Sequence, residues 1–227
     1  MIRAIIFDFD GLIIETEEPT YLSWVEVYKY FGFPLPLATW SAVIGTTHGD
    51  FNPQLELEKL LNHPVDWETV EPIRQSSENA LIEAQPILPG AEAYLRNARQ
   101  LGLKIGLASN SPTRWVIGHL TRIGLVDCFD CIRTSDDVHS FKPDPSVYLS
   151  ALNGLAVSAD DAFALEDSPL GIRAAKSAGL FCVAVPNKLT RRLDLSGADF
   201  QLGSLTGLPL EQLLHKVSEI KTRRAAL

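Results

Sequence analysis

In the stretch IIFDFDGLIIETE, residues 5–17, an apolar run typical of a buried strand meets a pair of acids. Asp8 and Asp10 flank Phe9, and Gly11 introduces a second apolar run. Side chains two residues apart on a strand point to one face, so the two carboxylates are expected to converge. Two like charges about 4 Å apart repel by roughly 4 kcal/mol at an effective dielectric constant near 20. The pattern therefore predicts a neutralising group beside these acids.

The 227-residue chain is 46% hydrophobic and 21% charged, which is typical of an ordinary globular protein. Its formal net charge of -8 disfavours nucleic-acid binding, because a polyanion would be repelled. No apolar run approaches the length of a membrane span, and the first one meets Asp8 too early for a signal peptide. We therefore expect a cytoplasmic protein that binds neither nucleic acid nor membrane. Since no heptad repeat is evident, a monomer is the expected state.

Cys128 and Cys131 form a Cys-x-x-Cys pair, a spacing found in zinc and redox sites. Structural zinc normally takes four ligands, and Cys182 is far away in the sequence. The pair is therefore interpreted as two small hydrophobic side chains beside a strand.

From Pro89 onward, short apolar runs alternate with helical patterns. Strands are predicted where such a run ends near a turn or a polar residue, at 103–109, 131–135, 162–167, 181–186 and 199–203. Since Pro and Ser favour the first turn, helices are predicted to begin near Pro89, Pro112, Pro145 and Ser168. The alternation predicts an α/β, Rossmann-like core whose parallel sheet is covered on both faces.

Residues 17–85 break the alternation with four successive helical patterns, at 21–31, 36–44, 51–61 and 66–84. Their apolar stripes indicate a core and are supplied by Trp24, Tyr28, Leu60, Leu61, Val70 and Ile73. The segment PILPG, residues 86–90, is typical of a return linker. We therefore predict a catalytic core formed by residues 1–16 and 86–227, and an all-helical cap formed by residues 17–85.

Polar side chains follow the predicted strands, and parallel strands bring such ends together at one edge of the sheet. The residues concerned are Asp8, Asp10, Ser109, Asn110, Lys142, Glu166 and Asp167. Oxygen-rich sites with several carboxylates suit Mg²⁺, which also shares its coordination with substrate phosphates. A carboxylate nucleophile, a second aspartate as acid and base, and lysine and hydroxyl groups on the phosphate would together support phosphoryl transfer.

Four segments resemble, in order, the four motifs of the haloacid dehalogenase superfamily: DFDG (8–11), ASNS (108–111), KPDP (142–145) and LEDS (165–168). The similarity covers nearly the whole chain. It includes a helical cap inserted after the first motif, as in the subgroup of beta-phosphoglucomutase, phosphoglycolate phosphatase and sugar-phosphate phosphatases. The resemblance implies a hydrolase that uses Mg²⁺.

The resemblance also implies a role for each motif residue. Asp8 matches the nucleophile, and Asp10 matches the general acid and base, whose backbone carbonyl also helps to hold Mg²⁺. Ser109 and Asn110 match phosphate- or substrate-binding positions, and Lys142 matches the third-motif lysine. Asp167 matches a metal ligand, and Glu166 matches a residue that contacts the metal directly or indirectly. Thr16 matches the hinge region beside the substrate. The expected reaction is hydrolysis of a small phosphate monoester, such as a sugar phosphate or a phosphoglycolate-like metabolite, through an aspartyl-phosphate.

Three alternatives are weaker. The segment VIGTTHGDF (43–51) resembles the cap loop that presents an arginine to the distal phosphate in beta-phosphoglucomutase, but His48 stands at that position and an imidazole grips a dianion less well. A dehalogenase needs neither Mg²⁺ nor a second aspartate, so Asp10, Glu166 and Asp167 disfavour it. In a phospho-receiver domain the acidic pair precedes the phosphorylated aspartate, whereas here it follows Lys142.

Overall fold

The computed structural model describes residues 1–40 and 51–225. Within them, six parallel strands form one sheet in the order β3-β2-β1-β4-β5-β6. The strands are β1 (Ala4–Phe7), β2 (Lys104–Ala108), β3 (Cys131–Arg133), β4 (Ala162–Glu166), β5 (Phe181–Ala184) and β6 (Phe200–Gln201). Each strand after β1 lies inside the run that predicts it, so the predicted α/β, Rossmann-like fold is confirmed.

The helices fall into two groups along the chain. Between β1 and β2, the described residues form α1 (Glu17–Tyr30), α2 (Leu37–Trp40), α3 (Pro53–Leu61), α4 (Trp67–Glu83) and α5 (Ala91–Gln100). The helices that follow are α6 (Thr113–Arg122), α7 (Ser146–Leu155), α8 (Pro169–Ser177) and α9 (Leu210–Ala225). Helices α5 to α8 begin within two residues of their predicted starts. No prediction covers α9, although Leu210, Leu213 and Val217 recur at helical spacing and are fully buried.

Both faces of the sheet are covered, as buried parallel strands require. Ile5 and Phe7 of β1 belong to one hydrophobic cluster with residues of α5, α6 and α9. Ala4 and Ile6, which alternate with them, belong to a second cluster with residues of α7 and α8. The strand is therefore apolar throughout, and its first polar side chain, Asp8, comes only where the strand has ended.

A third hydrophobic cluster joins the helices between β1 and α5 to the segment after β5, which contributes Leu189. Trp24 and Tyr28 are buried in it, as predicted. The prediction is wrong for Leu60 and Ile73, which are 46% and 68% exposed. Their helices pack through other positions, because α3 buries Leu57 and α4 buries the Arg74 guanidinium 4.7 Å from the centre of the Trp24 ring.

The cysteines pack as hydrophobic side chains. Cys131 is buried against one face of the sheet, and the half-buried Cys128 packs against the cluster on the other face. All three cysteines are free, and in the described part of the chain none belongs to a metal-binding group. Over the same residues, no helix combines the length and apolarity needed to cross a bilayer.

Candidate active site

Neighbouring strands place the predicted site residues at one edge of the sheet. Phe7 lies opposite Leu107 of β2 and opposite Leu165 of β4, so the residues that follow these three positions are level with one another. The backbone N–H of Asp8 continues this pairing by donating to the Leu165 carbonyl at 3.0 Å. Glu166 ends β4 directly beside it. The carboxyl edge of the sheet thus carries the acids that follow β1 and β4.

The Asn110 side chain binds the backbone of Lys142 and so holds Lys142 at this edge of the sheet. The Asn110 Oδ1 atom accepts from the Lys142 backbone N–H at 2.9 Å, and its Nδ2 atom donates to the Lys142 carbonyl at 3.5 Å. The Lys142 side chain is 5% exposed, and its Nζ atom donates to Asp8 Oδ1 and to Glu166 Oε1, each at 2.6 Å. Burial alone would lower the pKa of Lys142, but the two carboxylates outweigh burial and raise that pKa. Lys142 therefore stays charged.

Asp8 is buried, and its environment opposes ionisation. Burial, followed by repulsion from Glu166, raises the pKa of Asp8 to about 7, although Lys142 acts in the opposite direction. The bond to Lys142 occupies Oδ1. In the described chain no hydrogen bond engages Oδ2, so this oxygen is the one that remains available for chemistry.

Glu166 is fully buried, and both of its oxygens are already engaged. Oε1 accepts from Lys142 and from the Tyr148 hydroxyl, each at 2.6 Å. Oε2 accepts from the backbone N–H groups of Asp167 and Ser168, at 3.1 and 3.4 Å. This packing depends on Gly171, because a Cβ atom there would lie 1.8 Å from Glu166 Oε1.

Asp167 completes an acidic group that can hold a metal ion. Asp8, Glu166 and Asp167 each offer a carboxylate oxygen, and these oxygens lie within 4.8 Å of one another. Burial, and then repulsion from Asp8 and Glu166, raises the pKa of Asp167 well above its usual value. Its hydrogen-bond donor in the described chain is the neutral Asn187 amide, at 2.8 Å. Among the described residues, Lys142 is the one cation that contacts this group of three buried acids, through Asp8 and Glu166, and the donor set fits a hard divalent cation.

Asp10 is not part of this acidic group. The strand ends at Phe7 and the chain turns at Gly11, where φ is 76°, so both aspartates follow the strand instead of lying on it, and repulsion from Asp10 contributes to the raised pKa of Asp8. The Asp10 carboxylate instead accepts from Ser111 Oγ at 2.6 Å and from Trp115 Nε1 at 3.0 Å. Asp8 and Asp10 nevertheless line one cavity of about 410 Å³.

That cavity lies between the sheet edge and helices α1 and α2. The site side contributes Asp8, Asp10, Ser109, Asn110, Lys142 and Asp167, and the helical side contributes Thr16, Glu17, Thr20, Trp24 and Trp40. Burial, and then repulsion from Asp10, raises the pKa of Glu17 to about 8. Thr16 is buried, and its carbonyl accepts from the Thr20 N–H at 3.1 Å. The predicted substrate contact His48 lies outside the described residues.

Comparison with known proteins agrees with this geometry. Residues 5–185 match the family model described as haloacid dehalogenase-like hydrolase. The chain belongs to the haloacid dehalogenase-like hydrolases. The family resemblance of the four motifs is therefore confirmed. The prediction that the protein is a hydrolase is confirmed as well.

Relatives of this hydrolase cover nearly its whole length. "Putative phosphatase YhcW" of Bacillus subtilis (strain 168) is 45% identical over 94% of the chain and 97% of its own length. Beta-phosphoglucomutase of the same organism is 30% identical and covers 94% of each chain. The crystal structure of CbbY from Rhodobacter sphaeroides in complex with phosphate superposes with a TM-score of 0.70. It is 30% identical and covers 90% of this chain and 95% of its own.

Several residues of the hydrolase site have no role in the sequence predictions. They are Ser111 and Trp115 on Asp10, Tyr148 on Glu166, Asn187 on Asp167, and Glu17 in the cavity wall. Ser111 is the last residue of the ASNS motif and Glu17 adjoins Thr16, so position in the sequence is an available signal for both. For Trp115 and Asn187, the partners are 105 and 20 residues away, and no local pattern marks the contact.

Proposed function

We propose that this hydrolase is a Mg²⁺-dependent phosphatase that hydrolyses a small phosphate monoester through an aspartyl-phosphate. The observation that carries the proposal is the Lys142 ammonium, which lies 2.6 Å from both Asp8 and Glu166 while Asp167 adjoins them. Relatives named phosphatase or beta-phosphoglucomutase, and a neighbour crystallised with phosphate, support phosphate chemistry. The cavity of about 410 Å³ suits a sugar phosphate or a phosphoglycolate-like metabolite.

Asp8 is the proposed nucleophile. Lys142 holds Oδ1 and leaves Oδ2 to attack phosphorus, so the orientation of the carboxylate is fixed before substrate binds. The same ammonium offsets repulsion between an anionic carboxylate and an anionic phosphate. Glu166 accepts a second hydrogen bond from the Lys142 ammonium, and Asn110 holds the Lys142 backbone. Ser109, at the end of β2, is the proposed donor to a phosphate oxygen.

Asp10 is the proposed general acid and base. It would protonate the leaving oxygen as the bond from phosphorus to that oxygen breaks, and then accept a proton from the water that attacks the aspartyl-phosphate. Its hydrogen bonds to Ser111 and Trp115 keep it on the cavity wall and apart from the acidic group.

The acids of the site fit a bound Mg²⁺. Asp8 and Asp167 would hold the ion through their side chains, and Asp10 through its backbone carbonyl. Glu166 is proposed to act indirectly, because Lys142, Tyr148 and backbone N–H groups already engage its oxygens. When bound, Mg²⁺ supplies positive charge to the phosphate oxygens and relieves the repulsion between the acids.

The helical segment 17–85 is the proposed cap, with residues 1–16 and 86–227 as the catalytic core. Thr16 lies at the start of α1, where the chain leaves the core, and it lines the cavity. Closing such a cap would exclude water until the phosphoryl group has been transferred. A monomeric state and a cytoplasmic location remain predictions from the sequence.

A phosphosugar mutase is the second candidate, since a beta-phosphoglucomutase is among the relatives. The two functions separate on a hexose 1-phosphate, which a phosphatase converts to free sugar and phosphate and a mutase converts to the 6-phosphate isomer. Formation of the 6-phosphate isomer would show that the protein is a mutase and would overturn the proposed phosphatase function.

The experiment for the phosphatase uses purified protein and p-nitrophenyl phosphate. We expect phosphate release with Mg²⁺, no release with EDTA, and none from Asp8→Asn. Activity that survives the chelator or the substitution would contradict the mechanism.

A further inference from the structure

Three side-chain donors hold the Asp10 carboxylate. Trp115 Nε1 donates to Oδ1 at 3.0 Å, whereas Ser111 Oγ and Ser109 Oγ donate to Oδ2 at 2.6 and 3.3 Å. Trp115 lies in the first turn of α6 and lines the same cavity as Asp10. Its ring packs edge-on against His119, with ring centroids 4.4 Å apart, so the indole is fixed from behind.

These donors make the two oxygens of Asp10 chemically unequal. An indole N–H is a donor only, so the oxygen that faces it must accept. A hydroxyl both donates and accepts, so the oxygen that faces Ser109 and Ser111 can carry a proton without losing its partners. A protonated Oδ1 would be a weaker acceptor for the Trp115 N–H, and its partner in the described chain offers no acceptor for the proton. This arrangement favours Oδ2 over Oδ1 as the oxygen that carries the proton.

We propose that Trp115 is a positioning residue that fixes Oδ2 of Asp10 as the oxygen that gives and takes the proton. This inference rests on the proposed phosphatase function. In the first step the bond from phosphorus to the leaving oxygen breaks, a bond from phosphorus to Asp8 forms, and the proton on Asp10 Oδ2 moves to the leaving oxygen. In the second step water attacks phosphorus, the bond from phosphorus to Asp8 breaks, and a proton of that water moves to Asp10 Oδ2. Trp115 takes part in neither transfer.

The test uses two esters of similar shape, phenyl phosphate and p-nitrophenyl phosphate. Phenolate needs a proton as it leaves, whereas p-nitrophenolate is a far better leaving group and depends less on the acid. For Trp115→Phe we expect kcat/KM with phenyl phosphate, which covers only the steps up to phosphorylation of Asp8, to fall on the order of 10- to 100-fold, because the hydrogen bond that orients the Asp10 carboxylate is lost. With p-nitrophenyl phosphate we expect kcat/KM to stay within about threefold.

Trp67→Phe is the matched control. The Trp67 indole also donates to a carboxylate, Glu58 Oε1 at 2.9 Å, and neither residue lines the cavity. This variant loses the same N–H group and should lower neither rate selectively. If Trp115→Phe does not fold, replacement of the Trp115 indole by benzothiophene removes only the N–H group and answers the same question.

Each outcome decides one point. A loss confined to phenyl phosphate supports the role of Trp115. Equal losses with both esters, no loss, or a gain would overturn it, since a structural role or an inhibitory tether would produce those results. Release of phosphate from neither ester by the unmodified protein would instead overturn the proposed function itself.

Discussion

The Lys142 ammonium lies 2.6 Å from Asp8 Oδ1, although 134 residues separate the two along the chain. Both side chains are buried, and Lys142 also contacts the fully buried Glu166. A buried charge that loses its partner is costly, whereas a complete network is tolerated. Stability and chemistry at this edge of the sheet are therefore coupled through one lysine.

Lys142→Met keeps most of the length of the side chain and removes its charge. We expect kcat/KM to fall by at least about 100-fold, because the nucleophile loses its positioning group. The free energy of unfolding should fall by about 3 kcal/mol, because buried carboxylates are left without a cation. Enzyme assays and urea denaturation measure the two effects. Adding Glu166→Gln should restore part of the stability and none of the activity, and an active Lys142→Met protein would refute this role.

Asn187→Ala tests the support of Asp167. The Asn187 amide donates to Asp167 Oδ2 at 2.8 Å, and its Oδ1 atom accepts from the backbone N–H groups of Leu189 and Thr190. Loss of such a partner typically weakens metal binding, so we expect the Kd for Mg²⁺ to rise about tenfold in calorimetric titration. Lys188→Ala is the control, since Lys188 is exposed and pairs with Glu18. Equal Kd values for all three proteins would contradict the prediction.

The stabilising effect of Mg²⁺ should depend on pH. In the metal-free protein the pKa of Asp8 is about 7, above its unfolded value of about 3.9, so the native state holds a proton that the unfolded chain releases between these values. The stability of the metal-free protein therefore falls as pH rises through this range. Mg²⁺ binds the ionised acids, so the rise in the Tm of the protein on adding Mg²⁺ should be larger at pH 8 than at pH 5. Equal increases at both values, measured by differential scanning fluorimetry, would argue against metal binding here.

Alanine substitutions at two helical glycines distinguish the effect of close packing on stability from the effect of helix propensity. In α8, a Cβ atom at Gly171 would meet Glu166 Oε1 at 1.8 Å, whereas a Cβ atom at Gly118 of α6 would meet nothing within 4 Å. Gly171→Ala should lower the free energy of unfolding by about 1–3 kcal/mol or more, because Glu166 must move. Gly118→Ala should raise it by roughly 0.5–1 kcal/mol. Chemical denaturation measures both, and a stabilised Gly171→Ala protein would contradict the described packing.

The sequence predicts the positions that follow strands and not the contacts between distant side chains. Asp8, Ser109, Glu166 and Asp167 are predictable because apolar runs end beside them and parallel strands share one edge. Trp115 is not predictable in this way, since its contact with Asp10 depends on how α6 packs against the turn after β1. The same limit explains Ile73, because helical periodicity cannot tell that α4 buries Arg74 against Trp24 instead.

Phosphorylation of Asp8 during turnover is the central claim, and acid quenching tests it most directly. The protein with Mg²⁺ is mixed with p-nitrophenyl phosphate that carries a radiolabelled phosphoryl group, quenched within a single turnover, and digested for mass spectrometry. We predict a label on the peptide that contains Asp8, lost on treatment with hydroxylamine and absent from Asp8→Asn. Full phosphate release with no labelled protein, or a label on another residue, would contradict the account.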